Sequence, residues 1–234
     1  MNTTDIKDAI RNRHAVREYY NRTIDASTAA QLNEEIARCN EEGGLHIQLI
    51  TDEPRAFGGQ MARYGKFNNV KNYIALAGKK DPGLEEKIGY YGERIALKAQ
   101  ILGLNTCWVA LTFSKRKAKK HFKLASGEKL VCVLALGYGT SQGLSHKSKT
   151  HSELCSVQGD MPPWFKEGMD SAMLAPTAMN RQNFLFTLIR PRTVKAEATG
   201  GFYARVNLGI VKYHFEIGAG RENFEWEEEN SAGK

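Results

Sequence analysis

A chain of 234 residues, 41% hydrophobic and 25% charged with only 6 prolines, is long enough to bury a substantial core, and its composition excludes a disordered or fibrous protein. Lysine and arginine outnumber aspartate and glutamate by 33 to 26, and the resulting formal charge of +7 favours anionic partners such as nucleic acid or phosphorylated small molecules. Four widely spaced cysteines without a CxxC pair, no apolar run near the length of a membrane span, and an N-terminus without the apolar region of a signal peptide together lead us to expect a cytoplasmic chain with reduced thiols and no membrane contact.

Residues 4–13 read as a short helix with Ile6, Ala9 and Ile10 on its inner side. It delivers Arg13, His14, Ala15, Val16 and Arg17, where three potentially cationic side chains fall within five residues at a helix-to-coil junction and suit an anion. Residues 27–39 form a second helix capped by Ser27, followed by a strand over 46–51. The weakly patterned, glycine-bearing stretch 52–71 is expected as a surface loop or lid, and 72–77 as a short apolar strand. The central helix carries apolar or small residues at Ile88, Tyr91, Ile95, Ala99 and Leu102, a three-four alternation that lines one buried face. Gly103 stops it, and residues 104–111 leave as a turn and an almost wholly apolar extended run, either a buried strand or one that presents backbone N–H groups to a flat ligand.

Five lysines or arginines among residues 115–120 fit a solvated helix face or an electrostatic footprint for nucleic acid, although no aromatic residues interleave for base stacking. Residues 130–138 form a buried strand; Gly137 and Gly139 follow, but Gln142 breaks the dinucleotide fingerprint. His146, Lys147 and Lys149 lie in a flexible stretch that offers further phosphate contacts. Pro162 and Pro163 set a turn into a helix over 165–174, ended by Ala175 and Pro176, and a strand runs from 184 to 189. A helix over 205–213, a terminal strand over 214–217 and an acidic, fraying tail from Arg221 complete the chain. The six histidines show no paired ligand spacing and no HExxH, so no metal site is expected, and without GxSxG no hydrolase nucleophile is recognisable.

Three stretches together resemble the FMN-dependent nitroreductases. Arg13, His14, Ala15, Val16 and Arg17 look like that family's N-terminal Arg-Arg/His-Ser-x-Arg/Lys motif, with alanine for serine at Ala15. Residues 102–108, LGLNTCW, are similar to its Leu-Gly-Leu-Gly-Thr-Cys-Trp run, and residues 175–182, APTAMNRQ, to its Ala-Pro-Ser-x-x-Asn-x-Gln motif. The last motif sits near residue 175 rather than after the second helix, which matches a divergent branch of the family.

The resemblance implies an α+β sandwich, a central mostly antiparallel sheet flanked by helices, either a single-chain pseudo-dimer or a homodimer. Residues 1–150 would form the FMN-binding half, and 151–234 a second half contributing the flavin-contacting motif, in one integrated unit. Arg13, His14, Lys147 and Lys149 would meet the FMN phosphate or ribityl chain. Arg17 would stabilise the reduced ring, and Trp108, Val109 and Ala110 would run along it, with the Ala110 N–H toward N5. Pro176, Thr177 and Asn180 would meet its polar edge, and Gln182 would support their loop. The expected activity is hydride transfer from NAD(P)H through flavin N5 to a small-molecule electron acceptor, nitroaromatic or quinone-like, by a ping-pong mechanism with no catalytic acid or base and no nucleic-acid partner. The alternatives are a flavin-binding protein without turnover and a nucleic-acid binder using residues 115–120.

Overall fold

The computed structural model describes residues 3–227. In chain order the elements are α1 (Thr3–Asn12), α2 (Ala26–Gly43), β1 (Gln48–Ile50), α3 (Gln60–Tyr64), β2 (Asn72–Lys79), α4 (Leu84–Ile101), β3 (Asn105–Val109), α5 (Lys115–Ala118), β4 (Glu128–Gly137), α6 (His151–Leu154), β5 (Cys155–Val157), α7 (Pro163–Ala172), β6 (Phe184–Arg190), β7 (Thr193–Ala198), α8 (Ala204–Ala219) and β8 (Glu225–Trp226). They build the expected α+β architecture with helices flanking sheet, but among the described residues there are two four-stranded sheets, ordered β1-β2-β4-β3 and β5-β6-β7-β8. The first is antiparallel throughout. The second pairs β6 and β7 antiparallel and adds β5 and β8 as parallel edges.

Strands β2 and β4 are continuous apolar runs because both faces of the first sheet are covered. On one face Ile74, Leu76, Leu134 and Leu136 meet Leu32 and Ile36 of α2 and Ile88, Ile95 and Ala99 of α4. The same apolar core runs on through α8 and α7 to Phe186, Phe215 and Phe224, with the Phe186 and Phe215 rings stacked 4.8 Å apart. On the other face Phe57, Phe67, Val70, Phe113 and Phe122 close a second core over Tyr73, Val133 and Ala135. The stretch 52–71, expected as a surface loop, is thus anchored by buried Ala56, Phe57, Ala62, Phe67 and Val70 and contains the short helix α3. Its apolar residues follow no regular period because they descend singly from irregular backbone.

Helix α4 ends where expected, with Gly103 in the left-handed region at φ 77°. Helix α2 is capped by Asp25 rather than Ser27: the Asp25 carboxylate accepts the Thr28 N–H at 2.9 Å. The basic run forms only one helical turn, α5, before the chain turns to bury Phe122. Residues 214–217 continue α8 instead of forming a strand, since Ile210, Val211, His214, Phe215 and Gly218 extend the buried helical face begun at Val206. Beyond Arg221 the chain does not fray at once: β8 pairs with β7, and Trp226 packs on Phe215 and Phe224. The rest of the expected tail lies outside the described residues.

Helices α4 and α8 cross at their glycines. A Cβ on Gly89 would collide with the Val206 carbonyl, and one on Gly209 with the Glu86 carbonyl, so the two backbones touch. Gly89→Ala and Gly209→Ala are each expected to destabilise the protein by about 3 kcal/mol in urea unfolding, since rigid backbone must move. Gly103→Ala meets nothing within 4 Å and should cost about 1 kcal/mol for its left-handed backbone alone.

Candidate functional site

The segment after α1 runs parallel to β3, with Ala15 bridged to Thr106 and the Val16 N–H donating to the Thr106 carbonyl at 3.1 Å. Extended backbone sends alternate side chains to opposite sides. Val16 therefore enters the second core, while Arg13, Ala15 and Arg17 all line a cavity of about 240 Å³ at the end of β3. Cys107, Trp108, Val109 and Ala110, with Cys132 from β4, form its floor. Pro176, Thr177, Ala178 and Met179 form one wall, and Phe202, Tyr203, Val206, Asn207 and Ile210 the other. The three sequence motifs, at residues 13–17, 102–108 and 175–182, thus meet around one largely apolar space.

Two buried amides hold the walls. Asn207 of α8 accepts the Ala178 N–H on Oδ1 at 3.0 Å and donates from Nδ2 to the Phe202 carbonyl at 3.3 Å. Gln182 accepts the Lys149 N–H at 2.7 Å and donates to the Met173 carbonyl at 3.2 Å, while its own N–H donates to Thr177 Oγ1 at 3.0 Å. These bonds fix a loop in which Met179, Asn180 and Gln182 have φ of 53°, 51° and 47°, left-handed values that cost a non-glycine residue about 1 kcal/mol or more each. Sequence reasoning missed Asn207, whose only local signal is a polar residue on the buried face of an apolar helix.

His14, Lys147, Lys149 and Asn180 do not line this cavity. Lys147 and Lys149 lie beside the motif loop: the Lys147 carbonyl accepts Asn180 Nδ2 at 2.9 Å, and Lys149 Nζ donates to the Gln182 carbonyl at 3.2 Å. Burial, then the neighbouring Arg13 and His146, push His14 below the ordinary histidine value. Arg17 stays exposed, its guanidinium 5.9 Å from the centre of the Phe67 ring. The basic residues Arg116, Lys117 and Lys120 line a separate recess with Arg55 and His121.

Arg13 is only 3% exposed and lies 3.2 Å from the carboxylate of Glu93, a residue of α4 that is itself fully buried. Glu93 also accepts Trp108 Nε1 at 2.7 Å and faces His214 Nε2 at 3.0 Å. Arg13 Nε sits at ion-pair distance without hydrogen-bond alignment, and Nε and Nη1 have no hydrogen-bond partner among the described residues. Burial drives the Glu93 carboxyl upward, but the Arg13 charge and the bonds from His214 and Trp108 outweigh it and hold the carboxyl below the usual range. Burial raises the thiols of Cys107 and Cys132, so the floor presents protonated sulfur, not a nucleophile.

The family described as "Putative TM nitroreductase" matches residues 5–219. The chain belongs to this nitroreductase family. Its fold is similar to that of a "putative nitroreductase" from Thermotoga maritima, with a TM-score of 0.62, 19% identity, and coverage of 95% of this chain and 86% of that one. It is also similar to a "putative nitroreductase" from Desulfovibrio desulfuricans solved in complex with FMN, with a TM-score of 0.53, 16% identity, and coverage of 67% of this chain and 98% of that one. At these identities the likeness is one of fold. No curated protein matches the sequence. Among the described residues of this nitroreductase-family chain, no helix is long and apolar enough to cross a membrane, and no group of three or more His, Cys, Asp or Glu is placed to hold a metal ion.

Two measurements follow from the charges here. Because the folded Glu93 value lies below its ordinary 4.5, its stabilisation is full above that pH and is lost as pH falls through the depressed value. The urea midpoint should therefore fall as pH drops below 4.5, by more in the wild type than in Glu93→Gln. All four cysteines are free and buried, with Cys39 pushed up to about 12, so a thiol reagent should titrate them only after unfolding; fast labelling of the native protein would contradict this.

Proposed function

We propose that the cavity is the ring site of FMN and that the protein is an NAD(P)H-dependent oxidoreductase acting on an electron-poor small molecule. The observation that carries this reading is the convergence of Arg13 and Arg17, the end of β3, and the loop from Pro176 around one apolar space. The residues present fit such a cofactor. A flat apolar ring suits the floor of Trp108, Val109 and Ala110, and Ala15 leaves room beside it. An anionic group suits Arg13, which lines the cavity and whose Nη1 has no hydrogen-bond partner among the described residues.

Bound FMN would supply the redox chemistry, a hydride relay through N5 from NAD(P)H to a nitroaromatic or quinone-like acceptor in a ping-pong cycle. The protein's part is positioning and electrostatics. Arg17, at the open side, is the cation we assign to stabilising negative charge on the reduced ring. The backbone of Trp108, Val109 and Ala110 orients the ring, with the Ala110 N–H assigned to N5. Pro176, Thr177 and Asn180 are assigned to its polar edge. We assign His14, Lys147 and Lys149 to the phosphate and ribityl end. Lys149 Nζ, engaged with one carbonyl, keeps two further protons to donate. Residues 176–179 belong to the same chain as Arg13, so this wall needs no second subunit, which supports the pseudo-dimer alternative over an obligate homodimer.

The purified protein is expected to show flavin absorption bands, or to acquire them on adding FMN, and to bleach when NAD(P)H is added without oxygen. Arg17→Ala should retain FMN and be reduced about tenfold more slowly, for loss of roughly 1.4 kcal/mol of charge stabilisation. Flavin that is bound but never reduced would leave a binding protein without turnover; a protein that takes up no flavin refutes the reading.

A further inference from the structure

His214 is fully buried on α8, and both of its ring nitrogens face acceptors. Nδ1 lies 3.1 Å from the Ser171 carbonyl at the end of α7, and Nε2 lies 3.0 Å from Glu93 Oε1. A carbonyl oxygen can only accept. Glu93 Oε2 already accepts the Trp108 indole N–H, and Arg13 holds the carboxyl in its ionised form. Both bonds to His214 are made at once only by the doubly protonated ring, since a neutral imidazole donates from one nitrogen alone. The remaining charges on α8 nearby face elsewhere: Lys212 meets Glu86, and Glu216 meets Tyr90 and Trp226.

The cluster then contains two cations, Arg13 and His214, against the single carboxylate of Glu93. Were Glu93 paired with Arg13 alone, the two charges would cancel and Arg13 would have little left for a ligand. Sharing Oε1 with His214 leaves an uncompensated positive charge, and Arg13 is the cationic member of the cluster that lines the cavity. In such a dry setting an uncompensated cation is costly until an anion meets it.

We propose that Glu93 and His214 are positioning residues that hold Arg13 at the cavity with a net positive charge, so that the site selects an anionic group of its ligand. The charge assignment stands on this geometry alone; the identity of the anion rests on the flavin reading. Two sources share that chemistry, the phosphate of FMN and the pyrimidine edge of the ring once reduced.

The test has two parts. Ring ¹⁵N NMR of the wild-type protein as purified, with His214 assigned through its own backbone, should show protons on both nitrogens at neutral pH. A singly protonated tautomer would overturn the proposal. Then FMN and riboflavin affinities and the flavin midpoint potential are compared for wild type, His214→Gln, which lowers the cluster's charge by one unit, and Glu93→Gln, which raises it by one unit when His214 keeps both protons, as the ring ¹⁵N spectrum of that variant reports. If the anion is the phosphate, His214→Gln should weaken FMN about tenfold more than riboflavin, and Glu93→Gln should shift the same ratio the opposite way. If it is the ring, the ratio holds while the potential falls in His214→Gln and rises in Glu93→Gln. Changes of the same sign in both variants, as lost packing alone would produce, or no change in either quantity, overturn the proposal. If the wild type binds neither flavin while His214 carries both protons, the flavin reading fails and the charge assignment stands.

Discussion

A carboxylate buried in the middle of a helix must find its donors inside the protein, because leaving it unpaired costs several kcal/mol. Glu93 finds its partners in three distant parts of the chain: the charge of Arg13 after α1, and the donors Trp108 on β3 and His214 on α8. Each partner fixes the element that carries it. Arg13 sets the depth of the segment beside β3, Trp108 the face that β3 turns to α4, and His214 the rotation of α8. The cavity lies where these three elements meet, so its shape and its charge share one origin.

The close approach of α4 and α8 makes that convergence possible. With glycine at the contact the helix backbones touch, and α8 reaches far enough over the end of β3 to present Val206, Asn207 and Ile210 to the cavity. A larger residue at either glycine would lift α8 away and open the wall. The same helix anchors the second sheet through Phe215, so the two sheets share a core although they share no strand.

Polar bonding then shapes what packing brings together. Three left-handed residues in the loop after Thr177 are retained because Asn207, Gln182 and the strap carrying Lys147 and Lys149 bond it from several sides. Such a loop is pre-organised, and a ligand that meets it has less ordering left to do. Met179 is consequently held 71% exposed at the cavity's edge rather than folded into the core.

Much of this was legible in the amino-acid sequence by itself. The period of Ile88, Ile95 and Ala99, the stop at Gly103 and the apolar runs of β2 and β4 are read from neighbours along the chain, and the three family motifs are contiguous strings. Where short-range signals competed, tertiary packing decided: residues 214–217 are helical because His214 and Phe215 are needed on the α8 face, and the loop 52–71 is pinned by single aromatic residues with no period. Asn207 and Glu93 carried no readable signal, since a polar residue on an apolar helical face looks the same whether it serves a site or merely interrupts a pattern. Local periodicity depends on spacing along the backbone, which the sequence states outright. Which buried donor meets which buried acceptor depends on distances across the fold, and only the tertiary structure brings Glu93, Arg13 and His214 within bonding range.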